Sequence, residues 1–386
     1  MSQSFHRRIF LRRTALGVGS ILAAPLAFSA CTPSSNPSDT ASTDTTAQAN
    51  ANDPQNRKLG VALVGLGSYA THQLAPALAE AQHCYLAGIV TGTPEKAEEW
   101  KKKYNIPDKN VYNYETYDQI ADNPDIDIVY VVLPNSMHAE YVIRGAKAGK
   151  HMITEKPMAI SVEECDQMIA ACKEANRKLS VGYRLHFEPH NKEMMRLGQQ
   201  QVFGPVKKIS GADSFKIGDP DQWRLDKELA GGGPLMDVGI YCVQGACYTL
   251  GKEPTAITAR FGEVTDPKKF DEVEETIIWQ MEFPDGVTAD FVSSYNQNGA
   301  KLRAEAENGW FELDPAYGYD GLKGETSEGK MDFPQVREQT LQMDDFALCV
   351  RENRESIVPG EMGRRDMKIL TAIYEAARTG KKVQLT

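Results

Sequence analysis

Beyond its first thirty residues the chain holds no apolar run long enough to cross a bilayer. It is also short of positive charge. Lys and Arg total 43 against 53 Asp and Glu, a formal net charge of −10. A nucleic-acid partner needs a positive stripe that displaces counterions from phosphate, so none is expected. None of the seven cysteines stands in a C-x-x-C pair, which argues against zinc and thioredoxin-type chemistry. Six of them, Cys84, Cys165, Cys172, Cys242, Cys247 and Cys349, read as small buried thiols rather than a disulfide framework. His186-Phe187-Glu188-Pro189-His190 has a ligand-like spacing, but Pro189 disturbs a chelating geometry, and no metal is expected.

The N terminus lacks anything that packs as a fold. His6-Arg7-Arg8-Ile9-Phe10-Leu11 sets a twin arginine before an apolar pair, and Ala15 to Ala30 carries no charge. Residues 1–31 therefore read as a twin-arginine export signal, with the periplasm as destination. Loss of Arg7, Arg8, Arg12 and Arg13 with that segment takes the net charge from −10 to −14. Phe28-Ser29-Ala30-Cys31 has the form of a lipoprotein processing site, with Cys31 as the acylated residue and membrane anchor. Residues 32–57 are dominated by Ser, Thr, Asn, Pro, Ala and Gln, and read as a disordered tether.

What is present from Leu59 onward is the opening of a dinucleotide site. Leu59 to Val64 is an apolar strand, followed by Gly65-Leu66-Gly67-Ser68-Tyr69-Ala70 and a helical pattern through Leu74, Ala77 and Leu78. Gly65 permits the tight turn, Gly67 lets backbone approach a pyrophosphate, and Ala70 allows close helix–strand packing. The pyrophosphate would lie over the helix N-terminus, where free N–H groups favour an anion. Strands at Tyr85 to Thr91, Asp127 to Leu133, His151 to Thr154 and Lys178 to Gly182 alternate with helical stretches. Those include Pro94 to Tyr104, Ala139 to Ala148, and one opened by a Ser161/Glu164 capping box. This alternation predicts α/β architecture over residues 58–182, a Rossmann domain with a doubly wound parallel sheet.

One absence bears on the cofactor. The second strand ends Val90-Thr91-Gly92-Thr93, without the Asp or Glu that an NAD-selective site uses for the ribose 2′-hydroxyl. Thr91, Gly92, Thr93 and Lys96 offer hydroxyls and a cation suited to a 2′-phosphate, so the reading is NADP. Lys96 taken alone would be a surface lysine on the next helix.

Thr154-Glu155-Lys156-Pro157 closes a core strand at the carboxyl edge, where open α/β sheets bind ligands. Trp223-Arg224 precedes Gly231-Gly232-Gly233-Pro234, then Asp237 and Tyr241, which share a helix face by their spacing of four. Together with Leu133-Pro134-Asn135-Ser136-Met137-His138, these segments resemble the glucose–fructose oxidoreductase, inositol dehydrogenase and MocA (Gfo/Idh/MocA) family, over nearly all of Leu59 to Val383. Tyr241, where many members carry His, points to the glucose–fructose branch.

The NADP is expected to be held by Gly65, Gly67, Ser68, Tyr69, Ala70 and the Thr91–Lys96 region, and tightly, since an exported chain meets no pool of nicotinamide from which to replace it. The resemblance adds Leu133, Pro134, Asn135, His138, Glu155, Lys156, Arg184, Trp223 and Arg224 to that site. It implies sugars as substrates, and a homodimer or homotetramer. A free tyrosine, with a pKa of about 10, is a poor base at neutral pH. The Lys156 ammonium is expected to favour the Tyr241 phenolate, Tyr241 to be the acid/base, and Asp237 to accept from a substrate hydroxyl. Two other functions compete, an exported NAD-dependent glycosidase of the same superfamily and a non-catalytic sugar-sensing lipoprotein.

From residue 183 to 386 the pattern turns to strands. They are expected at Val206 to Ile217, Ala256 to Glu263, Glu275 to Phe283, Val287 to Tyr295, Leu302 to Glu307 and Trp310 to Leu313. Turns at Pro284-Asp285-Gly286 and Asn308-Gly309 predict α+β architecture, a mostly antiparallel open sheet with helices on one face. The last helix should end at Gly380.

Overall fold

In the computed structural model, which describes residues 57–385, two sheets organise the chain. The residues read as an export signal and tether, with Cys31 between them, lie outside the described residues as far as Asn56. The first sheet contains β1 (Leu59–Val64), β2 (Cys84–Val90), β3 (Val111–Tyr112), β4 (Ile128–Val131), β5 (His151–Thr154) and β6 (Leu179–Val181). Its strand order is β3-β2-β1-β4-β5-β6 and every pairing is parallel, the doubly wound arrangement the alternation predicted. Strands β1 and β4 are buried along their whole length, as strands covered by helices on both faces must be.

The covering helices are α1 (Ala75–Glu80), α2 (Pro94–Tyr104), α3 (His138–Lys147) and α4 (Val162–Glu174). The Ser161 hydroxyl accepts from the Glu164 N–H at 3.1 Å, while the Glu164 carboxylate reaches back to the Ile160 N–H rather than to that of Ser161. The box is thus one residue wider than its usual form, and still satisfies two orphan donors.

After α5 (Pro189–Gln199) the chain enters the second sheet with β7 (Val206–Ser214). A short helix α6 (Lys227–Ala230) and α7 (Ile240–Leu250) follow. Then come β8 (Ala256–Phe261), β9 (Thr276–Glu282), β10 (Thr288–Ser294), β11 (Gly299–Ala306), β12 (Gly309–Leu313), β13 (Gly324–Thr326) and β14 (Gly329–Met331). Helices α8 (Glu338–Glu352) and α9 (Gly360–Thr379), then β15 (Val383–Gln384), complete the chain, and α9 stops at Gly380 in the left-handed conformation. The nine strands run β14-β13-β12-β11-β7-β10-β9-β8-β15, antiparallel except for β7 against β10. Ile277, Trp279 and Met281 face the core, while Ile278, Gln280 and Glu282 stay half-exposed on the other face.

Helix α8 crosses the division read from the sequence at residue 183. Met343, Phe346, Ala347 and Cys349 join the same buried cluster as Leu59, Val61 and Leu63 of β1. A stripe at this helical spacing seals whichever apolar surface it reaches, and here the first sheet offers it.

Candidate active site

The turn after β1 is built for close approach. Gly65 adopts φ +95°, and a Cβ there would stand 2.4 Å from the Val132 carbonyl oxygen. Only glycine fits. At Gly67 a Cβ would meet nothing within 4 Å, and Gly67 and Ser68 are exposed. The loop thus has one glycine required by the fold and one required by nothing inside the protein, which is the cradle a pyrophosphate needs. Ala70 is buried at the start of a π-turn (Ala70–Leu74) leading into α1.

The end of β2 shapes the neighbouring wall. Thr91 is buried, its hydroxyl accepting from the Thr93 N–H at 3.3 Å across Gly92. Lys96, half-buried on α2, turns its ammonium back to the Leu66 carbonyl at 3.4 Å. That cation therefore stands beside the glycine loop rather than out in solvent. Hydroxyl, ammonium and open glycine fit a dinucleotide.

Lys156, just past β5, meets Asp237, 81 positions later, and Tyr241. Its ammonium donates to the Asp237 backbone oxygen, lies 3.7 Å from the Asp237 carboxylate and sits 4.7 Å from the centre of the Tyr241 ring. The Lys156–Pro157 peptide bond is cis. Asp237 belongs to a π-turn (Leu235–Gly239) that runs into α7, where Tyr241 follows, so both residues reach the same ammonium. Arg224 donates to the Asp237 carboxylate at 2.9 Å, and the Tyr295 hydroxyl donates to the same carboxylate at 3.2 Å. Burial opposes ionisation of Asp237, but Arg224, Lys156 and Tyr295 outweigh it and hold its pKa below the ordinary value.

The expectation for Tyr241 needs correction. Its pKa is pushed up to about 12, first by burial and further by the Glu155 and Asp213 carboxyls. The cation at its phenol oxygen is Arg184, which lowers the pKa without cancelling the burial. Lys156 lies over the same ring, 4.7 Å from its centre, where its charge meets the π-system. The phenol is therefore protonated at neutral pH, a ready acid, and it becomes a base only as positive charge gathers above it.

Residues 59–183 match the family described as "Oxidoreductase family, NAD-binding Rossmann fold", and residues 192–312 match the "GFO/IDH/MocA C-terminal domain". The chain belongs to the Gfo/Idh/MocA oxidoreductase family. It is 30% identical over 335 residues to "D-xylose 1-dehydrogenase [NADP(+)]" of Haloarcula marismortui, covering 84% of this chain and 92% of that protein. Among solved structures it is similar to an aldose-aldose oxidoreductase from Caulobacter crescentus complexed with glycerol. That match has 46% identity and a TM-score of 0.83, and covers 85% of this chain and all of the other. An oxidoreductase domain protein from Kribbella flavida, 19% identical with a TM-score of 0.72 over 85% and 99% of the two chains, shares the fold. The chain is an NAD(P)-dependent oxidoreductase of this family.

Within the Gfo/Idh/MocA frame, several residues named from the sequence hold the site together from behind. His138 is fully buried, and its ring nitrogens lie 2.9 Å from the Pro157 and Leu133 carbonyls. It ties the Lys156-Pro157 segment to the loop containing Pro134. Asn135 donates to the Ala230 carbonyl at 2.8 Å, which anchors the loop before the glycine triplet. Glu155 accepts from Tyr130 at 2.5 Å, and Gln342 of α8 donates to that same hydroxyl at 3.0 Å. Arg184 is buried against Glu338 at 2.6 Å, and Arg224 lies 4.6 Å from the Trp223 ring. His186 bonds Gln244 and His190 bonds Glu188, so the His-x-Glu-x-His run does not converge.

Two carboxylates escaped the sequence reading. Asp213, at the end of β7, is only 9% exposed, and its pKa is raised to about 8 by burial and the Asp237 charge, against the pull of Lys156 and Arg184. Glu274 accepts from the Gly233 and Leu235 N–H groups at 2.9 and 3.2 Å and from the Tyr374 hydroxyl at 2.8 Å. It thereby caps the turn that presents Asp237. Gly233 is needed there, since a Cβ would lie 2.5 Å from the Glu274 carbonyl. An acidic residue just before a strand-forming run was the only hint of it.

Proposed function

We propose that this enzyme moves a hydride between two sugars through one NADP(H) that it does not release. The observation that carries the reading is the convergence of Lys156, Asp237 and Tyr241 at the carboxyl edge of the parallel sheet, beside the glycine loop. Similarity to an aldose-aldose oxidoreductase at 46% identity supports sugars on both sides of the reaction. The NADP(+)-dependent xylose dehydrogenase, with Thr91, Thr93 and Lys96 in this chain, supports NADP over NAD.

A bound nicotinamide supplies the hydride acceptor for the first sugar and the donor for the second. In the first half-reaction an aldose hemiacetal would give up its C1 hydrogen as hydride and its hydroxyl proton to the Tyr241 phenolate, the form that the positive charge of an oxidised nicotinamide would favour, leaving the aldonolactone. In the second, a ketose or another aldose gains the hydride at its carbonyl carbon and the Tyr241 proton at its oxygen, giving the polyol. Lys156 donates to the reacting oxygen. Asp237, held ionised by its cations, accepts from a neighbouring hydroxyl and orients the ring. Glucose to gluconolactone coupled with fructose to sorbitol is one such pair.

Residence of the cofactor follows from the address. Arg7, Arg8 and the tether direct the folded chain to the periplasm, where no pool of reduced nicotinamide exists and a released cofactor would be lost. The half-exposed face of the second sheet is the surface on which a dimer or tetramer would form. To test the reading, the folded chain is purified without added nucleotide and denatured, and the released nucleotide is identified. About one NADP(H) per chain is expected from single-site retention; NAD, or no nucleotide, contradicts it.

A further inference from the structure

The loop between β12 and β13 sends one short segment back over the cofactor cleft. Arg184 fixes its root, donating to the Tyr317 carbonyl at 2.5 Å and the Gly318 carbonyl at 2.9 Å while paired with Glu338. The same guanidinium lies between two rings, 5.2 Å from the centre of Tyr241 and 4.4 Å from that of Tyr319. On its far side Tyr319 meets Tyr69, with ring centres 5.8 Å apart and planes tilted by 31°. Tyr69 stands two residues after Gly67 in the glycine loop. An unbroken series of contacts, Tyr69–Tyr319–Arg184–Tyr241, thus spans from the phosphate cradle to the acid/base residue.

Tyr319 remains 46% exposed despite these contacts. Its ring contacts are to Tyr69 and Arg184, groups of the cofactor and catalytic region. Gly318 and Gly321 bracket it, the latter at φ +66°, and Arg184 holds its root in place. We propose that Tyr319 is a latch: its ring closes the dinucleotide cleft against Tyr69 and slows departure of the cofactor.

The proposal rests on the reading of a retained dinucleotide. Its test is a dissociation rate. The full chain is loaded with NADPH, a large excess of NADP+ is added, and loss of bound-nicotinamide fluorescence is followed for the parent, Tyr319→Ala and Tyr319→Phe. Loss of one ring stack and one cation–π contact should speed release by about tenfold in Tyr319→Ala. Tyr319→Phe keeps the ring and should stay within about twofold of the parent. A Tyr319→Ala rate within about twofold of the parent overturns the latch, as does a Tyr319→Phe rate equal to that of Tyr319→Ala. The parent's own rate answers the separate question. Release within seconds contradicts the resident cofactor, while the ratio of variant to parent still decides the latch.

Discussion

The two glycines of the loop should respond in opposite ways to the same added methyl. At Gly67 a Cβ meets no protein atom within 4 Å and the backbone is not left-handed. Gly67→Ala should therefore fold as well as the parent, or gain about 0.4–1 kcal/mol through the less flexible unfolded chain. The methyl nonetheless projects where the pyrophosphate must approach. Forcing a methylene into a close-packed contact costs about 1–3 kcal/mol, which is roughly a 5- to 150-fold loss of affinity.

Gly65→Ala carries a different burden. Its φ of +95° and the 2.4 Å approach to the Val132 oxygen make the native backbone itself untenable. Strain of this kind costs about 1–3 kcal/mol before the clash is counted. Thermal denaturation of the two variants, with titration of NADPH fluorescence into stripped protein, separates these effects. The expected pattern is a stable Gly67→Ala that binds poorly and a destabilised Gly65→Ala. A Gly67→Ala chain that binds NADPH as the parent does would refute the placement of the pyrophosphate over this loop.

Other consequences follow from the same geometry. Tyr241→Phe should reduce turnover by about 10²- to 10⁴-fold, the usual contribution of a positioned acid/base group, while stoichiometric cofactor stays bound. Loss of the cofactor in that variant would mark Tyr241 as a packing residue instead. The Asp213 carboxyl titrates near 8 in the fold, against about 3.9 in an unfolded chain. Between those values the folded state holds the extra proton, so its contribution to stability falls as pH rises. The melting temperature of Asp213→Asn should therefore improve relative to the parent from pH 5 to pH 9, and a constant difference would contradict the assignment. For the address, Lys at both Arg7 and Arg8 should retain the protein in the cytoplasm on fractionation. Cys31→Ser should abolish incorporation of labelled fatty acid, and unchanged export or labelling would argue against the respective reading.

The parts of this enzyme legible in the sequence are those carried by local pattern. The glycine loop, the Thr91-Gly92-Thr93 strand end, the Ser161 cap and the Gly380 stop all depend on a few consecutive residues, and the structure has them where the pattern put them. Strands β7 to β12 of the second sheet were found to within a few residues, while the short β13, β14 and β15 were missed, two or three residues being too few to show an alternation. The parallel pairing of β7 with β10 was not, because nothing in either strand's alternation encodes the direction of its neighbour. Helix α8 falls within the stretch assigned to the second domain, because no local pattern tells which sheet its apolar face will meet.

At the site, Lys156, Asp237 and Tyr241 were recognisable by motif, but their electrostatics were not. Which cation lies at the Tyr241 oxygen is decided by Arg184 reaching across from the segment after β6, a contact between residues 57 positions apart. Asp213 sits in a strand with no motif around it, and its role emerges only when β7 brings it near Lys156 and Arg184. Tyr319 lies in a stretch whose sequence reads as ordinary loop.

The most direct measurement uses the purified native chain with no nicotinamide added. One aldose is mixed in and the bound-cofactor spectrum is recorded, then a second sugar follows. The account predicts that the first sugar changes the nicotinamide fluorescence, that the second reverses the change, and that lactone and polyol form in equal amounts over many turnovers. A chain that turns over only when NADP+ or NADPH is supplied, consuming one for each sugar, would contradict it.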